Sequence, residues 1–116
     1  MSEKEPIDWG PNWDEDAAAE LIGKLVLIGL RQLDASGTVV NEWQLHGRII
    51  EAQKGKGIVV ALEGVNAGRT YTLPPSTSAF QKARKGAYTL RTTKEVIHDP
   101  DLLATWRINN PPYSRR

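Results

Sequence analysis

His46 and His98 are the two imidazoles of this 116-residue chain. With the carboxylates of Glu95, Asp99 and Asp101 they are the side chains whose chemistry would suit a metal site or an acid–base pair. A neutral imidazole nitrogen is a good ligand for zinc, and a carboxylate would have to supply the third position. Their spacing follows none of the short-interval ligand patterns. No metal is expected, and His46 is read as a hydrogen-bonded strand residue at the surface. Ser36, Ser76 and Ser78 lack the Gly-x-Ser-x-Gly elbow that exposes a nucleophile. Gly55 and Gly57 fall in a turn between two β-rich runs, not ahead of a helix, so they make no phosphate cradle. No sequence rule places Glu95, Asp99 and Asp101 at the separation of a glycosidase pair. The chain shows no catalytic residue and no cofactor motif, which argues against an enzyme.

Binding chemistry has more to work with. Lys82, Arg84, Lys85, Arg91 and Lys94 cluster around Tyr88, and a basic track beside an aromatic ring is one way single-stranded nucleic acid is held. Lys54 and Lys56 at a hairpin tip could extend it. Against this, Tyr88 alternates inward and the net charge is only +1. Recognition of another protein is the favoured reading, because tryptophan, tyrosine and arginine dominate interface hot spots. Trp9, Trp13, Arg107 and Tyr113 are the candidates. An accessory or immunity-like role, such as neutralising a toxin, is compatible with such a module.

The charge is unevenly spread. Residues 1–20 hold seven acids against Lys4, whereas the rest of the chain holds fourteen lysines or arginines against seven acids. An acidic arm thus precedes a basic body. There is no cysteine, which excludes disulfides and thiolate zinc sites and fits a reducing compartment. No apolar run approaches the roughly 20 residues that span a bilayer. The opening residues are acidic and lack the apolar core of a secretory signal. A soluble, cytoplasmic protein without membrane association is expected; the oligomeric state is not encoded in any pattern.

The elements that must position these residues are mostly strands. Trp43, Leu45, Gly47 and Ile49 alternate with Gln44, His46, Arg48 and Ile50, the period of a half-buried strand. Lys54 to Gly57 is a tight reversal, and Ile58 to Val60 are consecutive β-branched residues expected to be covered on both faces. Gly47 is read as a bend or as a place of close packing, the bend being favoured. This hairpin is the centre of the chain. Before it, residues 1–13 form an acidic arm, and Asp14 to Ile22 a short helix. Asn12 or Asp14 caps the helix, Gly23 closes it, and Ala17, Ala18, Leu21 and Ile22 make its apolar side. Lys24 to Leu33 follows; its Leu25, Val26, Leu27, Ile28 and Leu30 are apolar without alternation, so it is read as a strand buried on both faces, with Gly29 as its bend. Asp34 to Gly37 turns into the strand that leads to Gln53, giving a three-stranded meander.

After the hairpin, Arg69 to Leu73 alternates, and Pro74 and Pro75 end pairing by removing two donors. Ser76 to Lys85 is read as holding a helical turn near Ala79 and Phe80. Ala87 to Arg91, Glu95 to Ile97 and Leu102 to Ile108 are strands, the last with Leu102, Ala104, Trp106 and Ile108 on one face. The predicted organisation is an arm (1–13), one domain (14–108) and a tail (109–116). The fold class is all-β: a small, strongly bent antiparallel barrel of the SH3-like kind, with five to seven strands and a short N-terminal helix. A five-stranded nucleic-acid-type barrel is the alternative.

The run Leu45-His46-Gly47-Arg48-Ile49, then Tyr71-Thr72-Leu73-Pro74-Pro75, Gly86-Ala87-Tyr88-Thr89-Leu90-Arg91, Glu95-Val96, Asp99-Pro100-Asp101 and Thr105-Trp106 resembles a group of small bacterial proteins without assigned function. The likeness covers about Lys24 to Ile108. It implies an SH3-like fold and a bacterial source, and no activity. Lys94 departs from it, since glycine is expected in that turn.

Overall fold

A computed structural model describes residues 13–108. The arm 1–12 with Trp9 and the tail 109–116 with Tyr113 lie outside the described residues. Asp14 caps α1 (Glu15–Leu21), its carboxylate accepting from the amides of Asp16 at 2.9 Å and Ala17 at 3.2 Å. Seven residues cannot hold a helix in water alone, and this one leans on the sheet through buried Ala18 and Leu21. Ile22, expected on its apolar side, is extended and exposed because the helix has already ended at Leu21. Gly23, with φ of 86°, turns the chain, and its amide donates to the Ile49 carbonyl at 2.7 Å.

Strands make up 52% of the described chain, so the protein is mostly β. The strands β1 (Leu25–Leu33), β2 (Val39–Gln53), β3 (Gly57–Leu62) and β4 (Thr70–Leu73) pair in sequence as an antiparallel meander. Two later strands, β5 (Phe80–Lys82) and β8 (Leu102–Ile108), return to the other side of β1. The sheet runs β4-β3-β2-β1-β8-β5, with β8 parallel to β1 and β5 antiparallel to β8. A hairpin of β6 (Ala87–Thr89) and β7 (Val96–His98) stands apart. The six-stranded sheet is open: β4 and β5 are its two ends.

One cluster of buried side chains unites the sheet. Val26, Ile28 and Leu30 of β1, Leu45 and Ile49 of β2, Ile58, Val60 and Leu62 of β3, Leu73 of β4 and Ala104 of β8 all belong to it, with Leu21 from α1. Five strands share one core, so the sheet curls around it. The alternation read in Trp43, Leu45 and Ile49, and in Leu102, Ala104, Trp106 and Ile108, points to this core in every case. β3 is covered on both faces, as expected, with Val59 buried alongside Ile58 and Val60. β1 differs from expectation. Its inner face is fully buried, while on its outer face Leu27 and Gly29 are half-buried and Arg31 is exposed.

Neither strand glycine is a bend. Register is continuous through Gly29 and shifts only between Gln32 and Leu33. Gly47 is paired on both sides, to Val26 and Leu62, and β2 shifts register two residues later, between Ile49 and Glu51. An added Cβ at Gly47 would run into the Ala61 carbonyl oxygen and lie 2.8 Å from the Leu62 Cα. Close backbone approach, the less favoured sequence reading, is the reason for glycine here. The expected helical turn near Ala79 exists as a single 3-10 turn, Thr77–Ala79. The chain then straightens into β5 because Phe80 seats edge-on against Trp106, ring centroids 5.6 Å apart at 71°.

Candidate functional site

The β6–β7 hairpin folds its connecting turn onto the outer face of β2. Leu90 and Ile97 of this hairpin region are buried, and Gln44 and His46 of β2 reach into the turn. Gln44 Oε1 accepts from the amides of Arg91 and Thr92. His46, expected at the surface, is only 7% exposed, because this turn covers the face on which it lies. Its Nε2 sits 3.2 Å from Glu95 Oε2. Glu95 also accepts from the Val65 amide at 3.0 Å and the Thr93 hydroxyl at 2.8 Å. Burial pushes the Glu95 carboxyl up, but the hydrogen bonds from Thr93, His46 and Val65 outweigh it and hold the group below the usual glutamate range. Gly64, with φ of 71°, leaves room for the pair; a Cβ there would collide with the Glu95 carboxylate. The His46–Glu95 contact therefore fastens β2, the turn Gly64–Asn66 and the 90–95 turn together. Among the described residues, no group of three or more His, Cys, Asp or Glu side chains could hold a metal ion.

Three surface recesses draw on β8 from Leu103 onward. One, of about 290 Å³, lies where the sheet fails to close: Tyr71, Leu73 and Pro74 on one side, Trp106 and Ile108 on the other, with Lys56 and Arg107 contributing the charge. A second, of about 340 Å³, is lined by Arg31, Leu33, Val39, Thr105 and Arg107. A third, of about 180 Å³, has Gly29 in its wall beside Leu27, Gln44, Arg91 and Thr105. Residues of β8 from Leu103 onward contribute to all three.

Register explains why arginines gather here. Arg31 of β1 stands opposite Glu42 of β2 and opposite Arg107 of β8. Side-chain alternation puts these three on the outer face, away from the core. Arg91 arrives from the β6–β7 turn, its Nη2 2.7 Å from Glu42 Oε2, and the Arg31 Nε lies 3.5 Å from the same oxygen. One carboxylate thus serves two guanidinium groups, and the third, on Arg107, makes no ion pair among the described residues. The face carries an excess of positive charge over an uneven floor of Gly29 and Thr105, with Leu27 and Leu103 at its margin.

The structure sorts the sequence-predicted residues unevenly. Arg107 lies on this face opposite Arg31 and lines two of its recesses. Arg91, predicted for nucleic acid, joins it rather than the other basic residues of its segment. Lys82 and Lys85 line a different recess, of about 320 Å³, together with Lys24, Asp99 and Asp101. Tyr88 is half-buried and its hydroxyl donates to the Arg84 carbonyl at 2.7 Å, so the ring is held by its own loop. Lys94 is exposed in a turn at φ of 71°. Trp13 packs against the core instead of standing clear of it, with Nε1 buried and no partner for it among the described residues. Trp9 and Tyr113 lie outside the described residues. Sequence reasoning missed Arg31, Glu42, Gln44 and Thr105. Only the β1–β2 and β1–β8 registers bring them together, and no local pattern announces a parallel pairing between residues 26–32 and 102–108. No family model, no curated protein and no solved structure matches this chain, so its function is read from these side chains.

Proposed function

We propose that this chain is a non-enzymatic bacterial binding module that recognises another protein, in an accessory or immunity-like role in the cytoplasm. The observation that carries the reading is the outer face on which Arg31 and Arg91 share the single carboxylate of Glu42 while Arg107, opposite Arg31, makes no ion pair among the described residues, next to an opening lined by Tyr71 and Trp106. Arginines beside half-exposed aromatic rings are the composition of interface hot spots. Excess positive charge favours a partner with an acidic patch and speeds encounter with it. An open six-stranded sheet, five of whose strands share one core, is compatible with a small SH3-like barrel that lacks a closing strand, and such barrels bind partners along grooves between their loops. The bacterial setting rests on the resemblance of residues 24–108 to a group of small bacterial proteins.

A nucleic-acid role draws on the Lys24, Lys82 and Lys85 recess. It is the weaker reading because Asp99 and Asp101 line the same recess and offset its charge, and because Tyr88 is turned to its own loop. No helix among the described residues is long and apolar enough to cross a membrane.

Affinity capture from a bacterial lysate tests the proposal, with the full chain and its Arg91→Glu/Arg107→Glu variant as baits. A protein retained by the parent and lost from the variant is the expected result. Equal retention by both, or nucleic acid as the captured species, overturns it.

A further inference from the structure

We propose that an extended, acidic segment of a partner protein enters the gap between β4 and β8 as an added strand and completes the sheet. The proposal rests on the protein-binding reading above and names the form the partner takes.

Among the described residues, the gap has an unpaired strand edge on each side. On β4, the Leu62 amide donates to the Arg69 carbonyl at 2.9 Å, so Arg69 faces β3. Backbone groups along an antiparallel strand alternate sides every residue. Tyr71 and Leu73 therefore also face β3, opposite Val60 and Ile58. The N–H and C=O of Thr72 face away, into the gap. On β8, the Ala83 amide donates to the Asp101 carbonyl at 3.1 Å, and β5 pairs only as far as Phe80 opposite Ala104. The same alternation turns Leu103 and Thr105 toward β5 and carries Arg107 beyond its reach. The amide and carbonyl of Arg107 have no strand opposite them among the described residues. Thr72 and Arg107 both line the recess between the two edges.

An exposed strand edge is a template for pairing. Here each free edge borders an opening that reaches the fully buried Leu30 of the core. A strand laid in this gap would put every second side chain over Leu30, Tyr71, Trp106 and Ile108, and these positions call for aliphatic residues. Its other side chains would lie on the outer face, beside the Arg107 and Arg31 side chains. Lys56, already paired with Glu51 at 3.0 Å, and Arg107 line the gap, and among the described residues no carboxylate does, so the outward positions beside Arg107 call for aspartate or glutamate. The occupant is thus a short segment of alternating aliphatic and acidic residues, bound through main-chain hydrogen bonds for affinity and side-chain pockets for choice.

The test uses the full chain and synthetic eight-residue peptides with valine or isoleucine alternating with glutamate. Each is also made with alternate backbone amides N-methylated, and an oligonucleotide of equal charge is the comparison. Binding is read by anisotropy, and the exchange of the Thr72 and Arg107 amides by NMR. The expected result is a peptide complex weakened about tenfold or more by N-methylation and by Arg107→Glu, with exchange at Thr72 and Arg107 slowed about 100-fold. Binding that depends on Arg107 yet ignores N-methylation and leaves both amides unprotected overturns strand addition while leaving the protein-binding reading intact. Binding of the oligonucleotide and of none of the peptides overturns both. Protection of the two amides in the free chain assigns the gap to the chain's own terminal residues, and protection that rises with protein concentration assigns it to a second copy; either result overturns the proposal.

Discussion

The imidazole of His46 and the carboxylate of Glu95, 49 positions apart in the chain, meet at 3.2 Å and are further joined through Glu95 to Val65 and Thr93. This contact is a structural clasp. Glu95→Gln keeps the shape but loses the charge that strengthens three hydrogen bonds, so a loss of about 1–3 kcal/mol is expected on chemical denaturation. The pH dependence has a definite sign. The folded-state pKa of Glu95 lies below its unfolded value near 4.5. The unfolded chain therefore binds this proton more readily, and the stabilisation present above that value is lost as pH falls through the folded one. Stability measured from pH 6 downward should drop more steeply in the parent than in Glu95→Gln. Parallel curves would show that the carboxylate is not held as described.

Gly47→Ala separates close approach from mere flexibility. The new Cβ would meet backbone atoms of Ala61 and Leu62, which cannot swing aside as a side chain can. A loss of at least about 3 kcal/mol is expected. Gly55→Ala, in the hairpin turn, meets nothing within 4 Å and should change stability by no more than about 0.5 kcal/mol. Thermal unfolding of the two variants side by side is the measurement.

Lys94 holds φ of 71° while its amide donates to the Leu90 carbonyl at 2.9 Å. The left-handed conformation costs a residue with a Cβ roughly 1–2 kcal/mol, part of which glycine gives back in backbone entropy. Lys94→Gly should therefore stabilise the protein by about 0.5–1 kcal/mol. A decrease in denaturation midpoint would show that the lysine side chain contributes more than its backbone costs.

Trp13 is seated on the core. Trp13→Ala is expected to cost about 1–3 kcal/mol, less than a fully buried tryptophan would. Trp13→Phe should cost less, since it removes a buried N–H along with part of the ring. Equal stability of parent and Trp13→Ala would return this residue to the surface.

Glu42 competes with any acidic partner for Arg31 and Arg91. These ion pairs are half open to solvent, with Arg31 and Arg91 side chains 52% and 66% exposed, and such pairs contribute no more than about 1 kcal/mol. Glu42→Gln should leave the unfolding midpoint nearly unchanged and raise affinity for an acidic peptide by about tenfold or less. That gain should shrink as salt is added. Weaker peptide binding by Glu42→Gln would mean that Glu42 orients the arginines instead of opposing the ligand.

What the sequence by itself determined is the local grammar of this protein. Alternation at Trp43, Leu45 and Ile49, consecutive β-branching at Ile58 to Val60, the Asp14 cap and the Pro74-Pro75 stop all read correctly, because each depends on neighbours within a few residues. The tertiary structure decided the pairings, and with them the candidate site. The parallel seat of β8 beside β1 brings Arg107 next to Arg31, and the fold of the 90–95 turn brings Arg91 to Glu42 and buries His46. Side-chain period fixes which face a residue takes and is silent on which strand lies alongside. That choice is made by the shared core and by backbone groups seeking partners across the whole chain.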